Sequence, residues 1–89
     1  MATTRTISFR LNAPEARSVA IAGDFNNWSS DTRQLRRRKD GVWWVVLRLP
    51  PGVYQYKFVL DGSRWQEDPA NPNRVSNQQG TLNSVCEVR

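Results

Sequence analysis

Two of the four tryptophans lie in runs that cannot form core strands. Trp28 follows the residues GDFNN and precedes two serines, and Trp65 lies among aspartate, glycine, arginine and glutamine side chains. A single tryptophan in a polar loop can serve as a lid over the core, but two of them beside amide and hydroxyl groups predict a flat, exposed platform. The polar groups that accompany them near the end of the chain are Asn77, Gln78, Gln79, Thr81 and Asn83.

A platform of this kind suits a sugar ring. Pyranoses present apolar C–H faces and a rim of hydroxyls, so their sites combine a flat aromatic surface with amides, hydroxyls or lysine. Lys57 adds an ammonium that points outward from a strand whose neighbouring side chains point inward. The residues alone thus favour sugar binding, with nucleic-acid binding and protein docking as alternatives.

Catalytic chemistry has little support in the sequence. Histidine is absent, so acid–base catalysis would fall to carboxylates, of which Glu67 and Asp68 are an adjacent pair. Most of the acids lie at turns, where aspartate shapes the backbone, and the glycines are scattered instead of forming a phosphate-binding loop. We therefore expect no enzyme, no catalytic residue and no cofactor. A single cysteine without histidine also leaves no conventional metal site.

The net charge of +5 permits a polyanionic partner. The basic side chains that could contact phosphate are Arg33, Arg36, Arg37, Arg38, Lys39 and Arg48. A solvated edge strand is the preferred interpretation of the run over 33–39, because charged edges also discourage pairing between sheets. We therefore do not expect a nucleic-acid partner. Trp44 and Val46, on the outward face of their strand, are the residues that a docking protein would contact.

The expected location is the cytoplasm. No stretch approaches the ~20 apolar residues of a membrane helix, so no membrane partner is expected. The segment from Met1 to Thr6 has no apolar run behind it and does not resemble a signal peptide. One cysteine also excludes an internal disulfide.

The elements that must position the two tryptophans are strands, because alternation of polar and apolar residues dominates the chain. Trp43 alternates with the inward residues of its strand and is expected in the core. A hairpin is predicted at Asp61-Gly62, followed by a short strand through Trp65, and a surface loop is predicted over 68–80. Strands are predicted over 6–11, 19–21, 33–39, 42–49, 53–60 and 82–88. Short strands separated by turn residues predict an all-β sandwich, and 89 residues suffice for one domain, residues 1–89.

Several motifs, in order and at compatible spacing, resemble the glycogen-binding module of the AMP-activated protein kinase β subunit. Relatives of that module, carbohydrate-binding module family 48, precede the catalytic domains of isoamylases and glycogen-branching enzymes. The resemblance runs from about residue 9 to residue 88. The motifs that carry it are VAIAGDFNNW over 19–28, GVW over 41–43, LPPGVYQYKFVLDG over 49–62, Trp65 and Asp68-Pro69.

The resemblance implies an early-set immunoglobulin-like β-sandwich that binds α-1,4-linked glucans such as glycogen, starch or maltodextrin. Trp28 and Trp65 match the tryptophans that stack on the glucan, and Lys57 matches a lysine that hydrogen-bonds it. Thr81 and Asn83 match further ligand contacts. A partner enzyme or kinase subunit is also implied, with a protein-docking domain that binds no sugar as the alternative.

The chain departs from the family pattern at one site position. Gln79 stands where the kinase-type module has a leucine that inserts into the ring of a curved glucan. Glutamine can hydrogen-bond but loses apolar contact, so a change in affinity or ligand preference is expected. The run over 36–39 is also more basic than the resemblance requires.

Overall fold

The chain forms two antiparallel sheets in a computed structural model that describes residues 3–89. Met1 and Ala2 lie outside the described residues. They begin the segment for which no signal peptide is expected. A short 3₁₀ turn at Asp24–Asn26 follows the second strand. The strands are β1 Arg5–Asn12, β2 Val19–Gly23, β3 Arg36–Arg37, β4 Val42–Leu49, β5 Gly52–Leu60, β6 Arg64–Gln66, β7 Arg74–Ser76 and β8 Leu82–Val88.

The sheets have the orders β1-β4-β3 and β2-β5-β8-β7. Strand β5 organises the larger sheet, because β2 pairs with its second half on one side, while β8 and β6 pair with different parts of the other side. The two sheets enclose one core of buried residues contributed by both. The predicted all-β sandwich is therefore confirmed.

Alternation explains why β1 and β4 form the smaller sheet. They pair along their full lengths, from Arg5 opposite Leu49 to Asn12 opposite Val42. Directly opposite residues share a face, and three inward pairs are apolar on both strands: Ile7 with Leu47, Phe9 with Val45, and Leu11 with Trp43. The inward position predicted for Trp43 is confirmed: its side chain is buried, and its indole N–H donates to the Ala13 carbonyl over 2.8 Å.

Aromatic contacts join the sheets through the core. The rings of Phe9 on β1 and Tyr56 on β5 meet edge to face, with centroids 4.9 Å apart. Tyr56 also meets Phe58 edge to face, an arrangement that contributes beyond simple burial of area. Phe58 is fully buried opposite Ile21 on β2.

Two predicted elements differ from the structure. The basic strand predicted over 33–39 is reduced to Arg36–Arg37 at the sheet edge, with an isolated bridge from Gln34 to Ala20. Leu35, the one apolar residue of the run, is buried against the core and fixes its position. The predicted loop over 68–80 contains strand β7, which pairs with β8, although its exposed side chains give no alternation to read.

A buried polar network fixes the chain between β6 and β7. The Tyr56 hydroxyl donates to Asp68 over 2.7 Å and accepts from the Asn71 amide over 3.1 Å. The Asp68 backbone N–H donates to the Ser84 hydroxyl over 2.7 Å. Burial raises the pKa of Tyr56, so its hydroxyl keeps the proton that it donates. The segment that leads into β7 is therefore anchored to β5 and β8.

Replacement of Trp43 by alanine tests the inward face of β4. We expect Trp43→Ala to lower the free energy of unfolding by about 3–5 kcal/mol, because it removes a large buried side chain and leaves the Ala13 carbonyl without its donor. Urea denaturation measures this. Trp65→Ala is the control, since Trp65 is 46% exposed, and an equal loss in both variants would contradict the assignment of Trp43 to the core.

Asp61, in the β5–β6 turn, holds the β1–β2 loop. Its carboxylate accepts the backbone N–H groups of Arg17 and Ser18 over 2.7 and 3.2 Å. Those hydrogen bonds lower the pKa of Asp61 below its ordinary value of 3.8. Asp61 and Gly62 both have positive φ, as the predicted hairpin turn requires.

The lowered pKa of Asp61 gives folding a pH dependence. A carboxyl whose folded-state pKa is lowered stabilises the fold above its unfolded-state pKa, and that contribution is lost as the pH falls through the folded-state value. We expect Asp61→Asn, which tolerates positive φ and keeps one acceptor, to lower the melting temperature at pH 7 and to lose that effect below the ordinary value of 3.8. Glu15→Gln is the control, and a pH-independent difference for Asp61→Asn would contradict the linkage.

Candidate functional site

An open cleft of about 910 Å³ lies on the outer face of the larger sheet. It brings together every site residue predicted from the sequence, although these residues come from four separate parts of the chain. Its walls also include residues that were not predicted as site residues. The lining residues are Asp24, Trp28, Gln55, Lys57, Trp65, Ser76, Asn77, Gln78, Gln79, Thr81 and Asn83.

The turn after β2 places Trp28. The Asn26 side chain accepts the Gly23 backbone N–H and donates to the Ile21 carbonyl, both over 3.0 Å. Asn27 and Trp28 then both adopt positive φ, which is costly for a bulky residue. The Trp28 backbone N–H donates back to the Gly23 carbonyl over 2.9 Å. This strained, hydrogen-bonded turn brings the indole onto the sheet.

The indole of Trp28 is fixed at its edge and on one face. Its N–H donates to one carboxylate oxygen of Asp24 over 3.0 Å, while the other oxygen accepts the Gln55 backbone N–H over 2.7 Å. The ring packs against a small buried cluster on the outer face of the sheet, formed by Ala20, Ala22 and Val59. Trp28 is consequently half-buried, and its ring covers apolar surface besides lining the cleft.

Trp65 lies on β6, opposite Val59 of β5. Its side chain is 46% exposed, which is unusual for a tryptophan. It shares the cleft wall with Trp28. The two tryptophans singled out in polar runs therefore line the same cleft from different elements.

Lys57 is placed by β5 at the cleft floor, where it is only 8% exposed. Its ammonium donates to the Thr81 hydroxyl over 2.7 Å, and no carboxylate of the described residues lies within ion-pair distance. An ammonium has three donors, so donors beyond the one used on Thr81 are available to a ligand.

Asn77 organises the turn between β7 and β8. Its side-chain oxygen accepts the backbone N–H groups of Gln79 and Thr81, both over 3.0 Å. Its amide nitrogen donates to the Thr81 hydroxyl over 2.7 Å and to Asn83 over 2.9 Å. The Asn83 amide in turn donates to Gln55 over 3.0 Å. The polar wall of the cleft is therefore one connected network.

Asp24, Gln55 and Ser76 belong to the cleft but were not predicted as site residues. Asp24 is one of the acids in turn-forming runs, and its position four residues before Trp28 is the one sequence signal of its role. Gln55 lies two positions before Lys57 on β5 and faces the same outer side of the sheet. Ser76 lies in β7, which the sequence pattern did not reveal.

The cleft can hold a neutral, polyhydroxylated ligand. It combines two tryptophan side chains with amides, two hydroxyls and one ammonium. Hydrogen bonds set the directions of the ammonium, the Thr81 hydroxyl and the Asn83 amide. Asp24 is its one carboxylate among the described lining residues, and both of its oxygens already accept N–H groups. Over residues 3–89, no three metal-ligating side chains cluster, and no helix is long and apolar enough to cross a membrane.

Comparison with known proteins agrees with this arrangement. A family described as the glycogen recognition site of AMP-activated protein kinase matches residues 6–89. The 5'-AMP-activated protein kinase subunit beta-2 of Mus musculus is 41% identical over 73 residues, which cover 82% of this chain and 26% of the relative. The beta-1 subunit of Sus scrofa is 38% identical over 73 residues, covering 82% of this chain and 56% of the relative.

The chain spans about a quarter of the length of the first of these relatives. The family match, by contrast, extends over nearly the whole chain and includes every residue of the cleft. The resemblance stated from the motifs is therefore confirmed, and the chain belongs to the family of the glycogen recognition site of AMP-activated protein kinase.

Proposed function

We propose that residues 1–89 form a single module that binds α-1,4-linked glucans such as glycogen, starch or maltodextrin and carries out no catalysis itself. The observation that carries the proposal is the convergence of Trp28 and Trp65 with Lys57, Thr81 and Asn83 in one open cleft. Family membership supports the same class of ligand.

The two tryptophans supply apolar contact in this proposal. The C–H faces of successive glucose units lie against the indole rings of Trp28 and Trp65, following the curve of the glucan. Stacking of this kind contributes about 1 kcal/mol per ring beyond burial of area. Because the cleft is open and shallow, little ligand surface is buried, and affinities from about micromolar to millimolar are expected.

The polar wall orients the glucan. Lys57 donates its remaining N–H groups to sugar hydroxyls, and Thr81 and Asn83 contact hydroxyls from the neighbouring wall. Thr81 and Asn83 are already held by hydrogen bonds from Asn77. Ligand binding therefore does not have to order these two side chains, which lowers the entropic cost of binding. Gln79, on the exposed β7–β8 turn, adds a hydrogen-bonding group at the rim.

A partner is part of the proposal. The beta-2 kinase subunits of Mus musculus and Rattus norvegicus that the chain matches are about three times its length, so we propose that the module brings a glycogen- or starch-active enzyme or a kinase subunit to the polysaccharide. The proposed location is the cytoplasm, where glycogen is stored.

Calorimetric titration with maltoheptaose and β-cyclodextrin tests the proposal. We expect saturable binding to the wild type and at least a tenfold loss of affinity in Trp28→Ala and in Trp65→Ala. The stability of each variant must be measured alongside by thermal denaturation, because Trp28 covers Ala20, Ala22 and Val59. Trp65→Ala keeps that cluster covered. Absence of binding to the wild type at millimolar sugar would contradict the proposal.

Asp24 provides a second test, because it holds Trp28 without stacking on the ligand. Asp24→Asn replaces one acceptor oxygen by a donor, so either the indole or the Gln55 N–H loses its partner. We expect maltoheptaose affinity to fall about threefold to tenfold, the equivalent of one net hydrogen bond of about 1 kcal/mol. Asp40→Asn, at a remote turn, is the control, and unchanged affinity in Asp24→Asn would show that the indole needs no such anchor.

A further inference from the structure

The positive charge of the sandwich is concentrated on the sheet opposite the cleft. Strands β1, β3 and β4 contain no aspartate or glutamate. They carry only arginine as a charged residue, and arginine pairs with carboxylates through a planar, two-pronged hydrogen-bonding group. The arginines of these strands are Arg5, Arg10, Arg36, Arg37 and Arg48.

The strand register places Trp44 between two of these arginines. Trp44 lies opposite Arg10 of β1 on one side and opposite Arg36 of β3 on the other. Directly opposite residues share a face, and the burial of Trp43 assigns this face to the outside. Because neighbouring strands lie about 4.8 Å apart, the two arginines flank the indole at roughly 10 Å from each other.

The next positions along the outer face continue the pattern. Val46 lies opposite Ser8 and is 40% exposed, and Arg48 lies opposite Thr6. An apolar strip of Trp44 and Val46 is thus bordered by guanidinium groups. We call this surface, formed by Arg10, Arg36, Trp44, Val46 and Arg48, the arginine face.

The guanidinium groups of the arginine face have no carboxylate partner within the described part of the chain. The ion pairs there join Arg38 to Asp40, Arg64 to Asp61 and Arg89 to Glu87. Arg48 donates hydrogen bonds to the Thr4 hydroxyl, over 3.2 and 3.4 Å. A surface of like charges without counter-charges favours an anionic partner.

The dimensions of the arginine face limit the partner. Three strands of at most eight residues offer roughly 400 Å², from a strand spacing of about 4.8 Å and a rise of about 3.3 Å per residue. A standard protein interface needs about 800 Å² from each partner. The face therefore suits a short segment better than the flat surface of a globular protein.

We propose that the arginine face docks an acidic protein segment with one apolar anchor residue. Carboxylates of the segment pair with Arg10, Arg36 and Arg48, and the anchor side chain packs on Trp44 and Val46. A single-stranded nucleic acid is favoured less, because stacking platforms present several aromatic rings and Trp44 is the one aromatic side chain on the outer face of strands β1, β3 and β4. This proposal is independent of glucan binding.

Fluorescence anisotropy with a fluorescein-labelled oligoglutamate peptide that has one central leucine tests the proposal. We expect saturable binding at low salt that weakens about tenfold in the double variant Arg10→Gln, Arg36→Gln. The matched control, Arg17→Gln with Arg64→Gln, removes the same charge elsewhere and is expected to change affinity less than about twofold. The same peptide without leucine is expected to bind several-fold more weakly.

Three outcomes would overturn the proposal. No binding of the peptide to the wild type excludes an acidic segment, and equal losses in both double variants show attraction by net charge alone. Tighter binding of oligothymidylate, with the same dependence on Arg10 and Arg36, assigns the face to nucleic acid. β-Cyclodextrin titration of the Arg10→Gln, Arg36→Gln variant is expected to be unchanged, so failure of this proposal is distinguishable from failure of glucan binding.

Discussion

The second half of strand β5, residues 56–60, is buried on both faces, and the rest of the molecule is arranged around that constraint. Its inner face supplies Tyr56, Phe58 and Leu60 to the core. Its outer face carries Lys57 and Val59, which are also buried. A strand at the surface of a two-sheet sandwich normally leaves its outer face to solvent. In this molecule other elements cover the outer face of β5, and the same elements form the cleft.

The cover consists of the turn after β2, strand β6 and the β7–β8 turn. Trp28 covers Val59 from one side, and Trp65 lies opposite the same residue on β6. The Thr81 hydroxyl, from the β7–β8 turn, accepts a hydrogen bond from the Lys57 ammonium and so covers the neighbouring outward residue of β5. Site and fold are therefore not separable here, because the side chains that would contact a glucan also complete the burial of β5. This coupling explains how a chain of 89 residues can hold a preorganised cleft with so small a core.

The strands of the sandwich were predictable because alternation follows directly from burial of one face. The inward set of β4, including Trp43, could be read from the sequence for this reason. β7 could not, since none of its side chains is buried and its pairing with β8 leaves no trace in residue type. The basic run over 33–39 misled in a similar way, because the position of that segment depends on one buried side chain, Leu35.

The site was predictable to the extent that residue type and polar surroundings are informative. Two tryptophans in polar runs identified both aromatic walls. Lys57, Thr81 and Asn83 were indicated by residue type and position, and the resemblance matched the same three residues to ligand contacts. The half-burial of Trp28 is not apparent from its polar run, and the burial of Lys57 is not apparent from its outward position on β5, because elements from other parts of the chain cover both side chains. The role of Asp24 depends on its hydrogen bond with the Gln55 backbone N–H, 31 positions away, and no local pattern encodes that bond. The role of Asn77 depends on the turn between β7 and β8, which could not be predicted because β7 leaves no pattern in the sequence.

The two faces of the sandwich differ in electrostatic character, and this difference separates the two proposed partners. The cleft is suited to a neutral ligand, whereas the arginine face is suited to an anionic one. Packed sheets are about 10 Å apart, and outward side chains extend the separation beyond a Debye length of about 8 Å at physiological ionic strength. An anion on one face therefore changes the potential at the other only weakly. The two faces share only the closely packed core between them, so each can bind its partner independently as long as the fold is intact.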